Sequence, residues 1–291
     1  MVMIKKVKLI LVICTTIFIS SCANDDEKPN SLESNLGISQ EIKDLIVFEG
    51  DQDAPIVIVN AQAGADDELH RDDVEDIISI LGDTGFLAVN VHQAQTINPD
   101  LINRSDITLD QAISMNTQSI EMLYKVIKYF KDDGRTVYVF GSSFGGLVTQ
   151  GLIAKKGIDV ADKYLIVANR LDIDDIIWQG LSEGRFGFFE NGINPVVSLN
   201  PEENVIERNT ARIIAGFTMY RYTELFKDYN DLSKITYVYG KTDEVVGRLT
   251  PAEIEFMELK KIRIIEGNGN HDQTTSGDTI IPIFTDLFGM K

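Results

Sequence analysis

Three residues far apart in the chain have the types and settings for one reaction. Ser143 is the centre of Gly141-Ser142-Ser143-Phe144-Gly145, a G-x-S-x-G pentapeptide that follows the apolar run 137–140. Asp243 stands in Gly240-Lys241-Thr242-Asp243-Glu244-Val245-Val246, directly after the apolar run 235–239. His271 closes Glu266-Gly267-Asn268-Gly269-Asn270-His271, directly after the run 262–265. A serine hydroxyl is a weak nucleophile until a base takes its proton, and an imidazole is a good base when a carboxylate fixes its tautomer. The reaction open to such a set is attack on an acyl carbon. Where a strand turns sharply into a helix, the central serine is forced into a strained backbone and its hydroxyl is lifted above the sheet edge. Glycine is needed at Gly141 and Gly145, because a Cβ would collide where strand and helix cross. The motif alone also fits a glycine-rich loop with two helix-capping serines. What favours the nucleophile is the acid and the histidine that follow in order.

The competing candidates are few. Glu244 adjoins Asp243 and is its rival, and Asp243 itself could cap a turn. Histidine occurs only as His70, His92 and His271. His70 lies in the acidic stretch Asp66-Asp67-Glu68-Leu69-His70-Arg71-Asp72-Asp73, a solvated helix start whose carboxylates suit the positive end of the helix dipole. His92 follows a strand end with no partner that would make it a base. Three such dispersed histidines give no metal-ligand spacing, so no metal is expected. No G-x-x-x-x-G-K-[ST] phosphate loop occurs, and Gly267 and Gly269 lack the third glycine of a dinucleotide fingerprint, so no cofactor is expected either.

The elements that must position these residues alternate along the chain. Short apolar runs at 45–48 and 56–59, separated by Gly50-Asp51-Gln52-Asp53-Ala54-Pro55, read as strands joined by a turn that would let them pair as a hairpin. Residues 73–81 have helical spacing, with Val74, Ile77, Ile78 and Leu81 on one face, and 86–91 is a strand. Thr108-Leu109-Asp110-Gln111 is a capping box that opens a long helix, ended by Asp133-Gly134. Strand 137–140 and helix 145–156 flank the serine, and 164–168 is the next strand. Strands 235–239 and 262–265 enclose a helix that starts at Thr250-Pro251-Ala252-Glu253, a capping box with proline at the first helical position. Apolar strands alternating with amphipathic helices imply an α/β fold, a mostly parallel central sheet flanked by helices on both faces. Residues 171–230 break the rhythm, with no clear strand and with Trp178, Phe186, Phe188 and Phe189 set among glycines.

The chain order Ser143, Asp243, His271, the elbow around Ser143, the G-x-x-D-x-x-V around Asp243 and the G-x-G-x-H before the last helix together resemble the α/β-hydrolase fold superfamily, over residues 42–291. The resemblance implies a serine hydrolase with Ser143 as nucleophile, His271 as base and Asp243 as its orienting acid. It implies an oxyanion hole of backbone N–H groups, that of Phe144 and one from the loop Asn60-Ala61-Gln62-Ala63-Gly64, by position Gln62. Relatives commonly carry His-Gly-X in that loop, so Asn60-Ala61 is a departure. It also implies a helical cap insertion at about 171–230, whose aromatics either line an acyl or alcohol pocket or form the cap's own packing core. The substrate would be a carboxylic ester or a short peptide. From a different class, the scaffold could serve a non-catalytic binding lipoprotein.

Composition bounds the setting. The 291 residues are 44% hydrophobic and 25% charged, enough for one globular domain with a sizeable core. Lys5, Lys6 and Lys8 precede an apolar stretch 9–19, too short to span a bilayer, which ends in Ile19-Ser20-Ser21-Cys22. This pattern resembles a bacterial lipoprotein signal over 1–21, with Cys22 as the lipidated first residue of the mature chain. An ordinary secretory signal or an uncleaved anchor is the alternative. Residues 22–41 are polar and aperiodic, a flexible tether. Lipidation implies a bacterial membrane, the outer one on its surface or periplasmic face, held through the N-terminal lipid only. Cys14 would leave with the signal, so cysteine usage says nothing more about redox state. Loss of the three lysines moves the formal charge from −18 to −21, which argues against nucleic acid as a partner.

Overall fold

The computed structural model describes residues 37–81, 85–267 and 269–289. The expected leader, Cys22 and most of the tether lie outside the described residues. Among the described residues, nine strands follow in chain order: β1 (Ile46–Gly50), β2 (Ile56–Ala61), β3 (Phe86–Val91), β4 (Thr136–Ser142), β5 (Lys163–Val167), β6 (Gly187–Glu190), β7 (Asn194–Val197), β8 (Ile235–Gly240) and β9 (Arg263–Gly267). Seven of them form one sheet in the order β1-β3-β2-β4-β5-β8-β9, parallel except for β1 at the edge.

Alternation along the strands assigns side chains to the two faces. Val57 and Val59 of β2, with Val137 and Val139 of β4, face one core, under the Leu109–Asp132 and Phe144–Lys156 helices, which contribute Ile120, Leu123 and Leu152. Ile58 and Leu165 face the other, under the Asp72–Leu81 and Gly277–Phe288 helices, which contribute Val74, Ile77, Ile280 and Phe284. A sheet covered on both sides in this way buries strands with near-continuous apolar sequence. The capping boxes expected at Thr108 and Thr250 are formed, each hydroxyl accepting from the backbone N–H three residues on. Among the described residues, no helix is long and apolar enough to cross a membrane.

Two expectations are corrected. β1 and β2 do not pair as a hairpin. β3 lies between them, antiparallel to β1 through Ile46–Val91 and parallel to β2 through Ile56–Phe86. Gly50, at φ +97°, and the Asp51 N–H, which donates to the Phe86 carbonyl at 2.9 Å, carry the chain across the start of β3 instead of back upon itself. The 171–230 segment is not purely helical. Between the Asp175–Ser182 and Val205–Thr218 helices it makes the antiparallel hairpin β6–β7. Strands of four residues, with Gly192 in the turn between them and Pro195 inside the second, leave too short an alternation to read from sequence.

Candidate active site

Parallel strands present their C-terminal ends along one edge of a sheet, and the three singled-out residues sit just beyond three such ends. Ser143 follows β4 and is the first residue before the Phe144–Lys156 helix, at φ 50° and ψ −119°. A non-glycine residue in that region is strained by steric contact with its own Cβ. Its surroundings hold it there. The Ser143 N–H donates to the Val167 carbonyl at 2.9 Å, and the Ser143 carbonyl accepts from the Gly146 N–H and from Asn169 Nδ2. The glycine requirement is met closely: a Cβ on Gly141 would lie 2.5 Å from the Gly145 carbonyl oxygen, and one on Gly145 would lie 1.9 Å from that of Ala61. Ser142, by contrast, is buried at the end of β4.

The structure brings Ser143, His271 and Asp243 into one hydrogen-bonded row. His271 Nε2 lies 3.1 Å from Ser143 Oγ, and His271 Nδ1 lies 2.9 Å from Asp243 Oδ2 and 3.1 Å from Oδ1. His271 is the first residue of the His271–Thr275 helix, which is capped by Asn270. Asp243 is fully buried, and its Oδ1 also accepts the N–H groups of Val245 (2.9 Å) and Val246 (3.0 Å). A buried carboxylate with these partners is aimed by its own loop. Glu244, the rival acid, turns to the backbone instead, its Oε2 accepting the His271 N–H at 3.3 Å.

The β6–β7 hairpin braces the Asp243 loop. The Phe189 N–H donates to the Glu244 carbonyl at 2.7 Å, and the Arg248 N–H donates to the Gly192 carbonyl at 2.9 Å. Gly247 lies against the Phe189 ring. Phe189 is fully buried with Ile173, Ile177 and Leu181, and Trp178 and Phe186 pack beside them, so these aromatics form a packing core; Phe188 is exposed.

The loop after β2 departs from the expected arrangement. The Phe144 N–H, expected to face an oxyanion, donates to the Ala63 carbonyl at 3.1 Å. Gln62 is fully buried, and its side chain is bonded to Asp66, to the Glu68 carbonyl and to the His70 N–H. Beneath it, Asn60 and Asn90 bond to each other and to Asp73, whose carboxyl burial pushes above the usual carboxylate range. Gln93 Nε2 donates to the Gln62 carbonyl (3.2 Å) and the Gly64 carbonyl (3.0 Å). The side chains of these amides were given no role from sequence, where Gln62 entered only through its backbone N–H and Asn60 only as a departure. Their only sign there was a polar residue at the end of each of two otherwise apolar strands, Asn60 in β2 and Asn90 in β3. A cavity of about 220 Å³, with Asn60, Ala63, Asp73 and Ser142 in its wall, lies behind the loop.

The remaining histidines stand apart. His70 is half exposed, with Nε2 3.3 Å from Asp66. His92 Nδ1 meets Thr96 Oγ1 at 2.8 Å, and burial holds its imidazole below the usual histidine range. Among the described residues, no group of three or more His, Cys, Asp or Glu side chains could hold a metal ion.

Comparison with solved structures assigns the fold. The chain superposes on a thermostable carboxyl esterase from Bacillus coagulans, solved in complex with glycerol, with TM-score 0.54 and 13% identity, over 83% of this chain and 93% of that one. An alpha/beta hydrolase enzyme from a Medee basin deep-sea metagenome library gives TM-score 0.53 and 10% identity, over 84% and 94%. Neither a family model nor a curated protein sequence matches the chain. The fold is that of the α/β-hydrolases.

Proposed function

We propose that this chain is a serine hydrolase that cleaves a carboxylic ester through an acyl-enzyme. The observation that carries the reading is the unbroken row Ser143 Oγ, His271 Nε2, His271 Nδ1, Asp243 at 2.9–3.1 Å, centred on a strained serine at the sheet edge. His271 takes the Ser143 proton as Oγ bonds to the acyl carbon, and the carbonyl electrons move onto oxygen. The imidazolium then protonates the leaving alcohol as the tetrahedral intermediate collapses. Water, deprotonated by the same imidazole, attacks the acyl-enzyme and frees Ser143. Asp243 holds the Nδ1–H tautomer and stabilises the imidazolium throughout. The N-terminus of the Phe144–Lys156 helix adds its positive dipole end beside the developing oxyanion. An ester needs less help to expel its leaving group than an amide does, so it is the default substrate. A short-peptide peptidase would use the same residues.

A second reading, a binding lipoprotein on a hydrolase scaffold, is favoured by one observation: the Phe144 N–H is already occupied by the Ala63 carbonyl. Turnover assays of 4-nitrophenyl esters of graded chain length, beside a set of short peptides, separate the three. An ester preference supports the proposal, peptide cleavage shifts it to the peptidase, and no turnover of either by folded protein favours the binding role. The address rests on sequence alone: lipid on Cys22 would tether the domain to a bacterial outer membrane.

A further inference from the structure

Within the ester-hydrolase reading, we infer that the second oxyanion donor is the Gly64 N–H, brought into place by a half-turn of the Ala63–Gly64 peptide. In the structure the Ala63 carbonyl sits on the Phe144 N–H at 3.1 Å, where the oxyanion must be received. A carbonyl oxygen there uses up one donor and repels the developing negative charge. A trans peptide sets its N–H opposite its C=O, so rotating this one plane exchanges the carbonyl for the Gly64 N–H at the same place.

Three features of the loop suit that rotation. Gln93 Nε2 holds the Gln62 carbonyl at 3.2 Å and the Gly64 carbonyl at 3.0 Å. These belong to the peptides on either side, so the Ala63–Gly64 plane is left as a crank between two fixed neighbours. Residue 64 is glycine, and it does not occupy the left-handed region in the structure. The half-turn carries its φ to the positive side, as in the exchange between type I and type II turns, which glycine tolerates and L-residues resist. Ala63 is exposed, so no packed side chain opposes the change. Gln62, the donor expected from sequence, is poorly placed. The Ala61 carbonyl, in the same peptide plane as the Gln62 N–H, lies against Gly145, which turns that N–H away from the helix start.

The test uses diethyl 4-nitrophenyl phosphate on the full chain. Ser143 Oγ bonds to phosphorus, 4-nitrophenolate leaves, and the serine proton passes to His271, leaving a diethylphosphoryl adduct. A crystal structure of the adduct should show the phosphoryl oxygen between the Phe144 and Gly64 N–H groups, with the Ala63 carbonyl turned out and Gly64 at positive φ. Gly64→Ala complements it. In the resting loop the atoms nearest the new Cβ belong to the Asp66 carboxylate, at 2.7 Å, the end of a half-exposed side chain that can shift while keeping its bonds to Gln62 and His70. In the flipped loop it bears the left-handed penalty, which lowers the competent population about five- to thirty-fold. Phosphorylation rate and kcat should fall by that factor at unchanged melting temperature. An adduct with the Ala63 carbonyl unmoved, a phosphoryl oxygen held by the Gln62 N–H, or wild-type rates in Gly64→Ala would each overturn the inference while leaving the hydrolase reading intact. Folded wild-type protein that forms no adduct at all would overturn that reading, and the flip with it.

Discussion

Replacing Asp243 by asparagine separates the orienting role of this carboxylate from its structural one. Oδ1 accepts the Val245 and Val246 N–H groups, while Oδ2 makes the shorter contact to His271 Nδ1. An asparagine can keep its amide oxygen on the two N–H groups, which leaves its NH2 facing Nδ1. An NH2 donates, so Nδ1 must become the acceptor and the imidazole proton moves to Nε2. Nε2–H then faces Ser143 Oγ across 3.1 Å and can no longer take its proton. The loss expected of the wrong tautomer is about 10⁴ in kcat, or ~5.5 kcal/mol. Stability should change by only about 1 kcal/mol, since the loop's bonds survive without their charge assistance. Initial rates on 4-nitrophenyl acetate, with thermal unfolding of the same samples, measure both. An Asp243→Asn protein with at least a tenth of wild-type kcat, or one that loses its activity only by unfolding, would refute this reasoning.

Further expectations attach to other positions. Ser143→Ala should remove nearly all turnover and Ser142→Ala should retain most of it, because only the former lies in the hydrogen-bonded row; equal losses in two folded variants would contradict this. Burial raises the Asp73 carboxyl above 3.8, so its contribution to stability is full below the unfolded value and is lost as pH rises through the folded one. Asp73→Asn, which removes that titration, should therefore gain melting temperature relative to wild type as pH goes from about 4 to 7; a constant or shrinking difference refutes it. Gly192→Ala should cost at least about 1 kcal/mol and lower kcat. Its φ is +71° and its Cβ would lie 2.9 Å from the Lys241 carbonyl oxygen, pushing the hairpin off the Asp243 loop; unchanged melting and rate would show that the brace is not needed. Cys22→Ser should release the protein from membranes or block processing, as fractionation would show, and normal cleavage with retained membrane binding would exclude the lipid anchor.

The sheet was legible because β2, β4, β5 and β8 are apolar enough to be buried on both faces and are bounded by turns. Ser143 and Asp243 could be singled out because each lies just past such a strand, and His271 because histidine is scarce and it lies just past β9 at the edge of the sheet. What could not be read depends on partners distant in sequence. β1 pairs with β3, past the nearer β2, and no local signal separates those two neighbours. Hairpin β6–β7 pairs strands of only four residues and is bonded as well to the Asp243 loop, far along the chain. The bond from the Phe144 N–H to the Ala63 carbonyl joins residues 81 apart and depends on the turn of a single peptide plane, which no side-chain pattern encodes. The departure at Asn60 is now explicable in part. Its amide joins Asn90 and Asp73 in a buried network beneath the loop, so the position is occupied by hydrogen bonding within the fold.

The central claim is that Ser143 is a base-activated nucleophile, and covalent labelling tests it most directly. Treatment with a fluorophosphonate probe, followed by proteolysis and mass spectrometry of the labelled peptide, should place a single adduct on Ser143. The labelling rate should collapse in His271→Ala, which keeps the serine and removes its base. A folded wild-type chain that takes no label, takes it elsewhere, or labels equally fast without His271 would contradict the account.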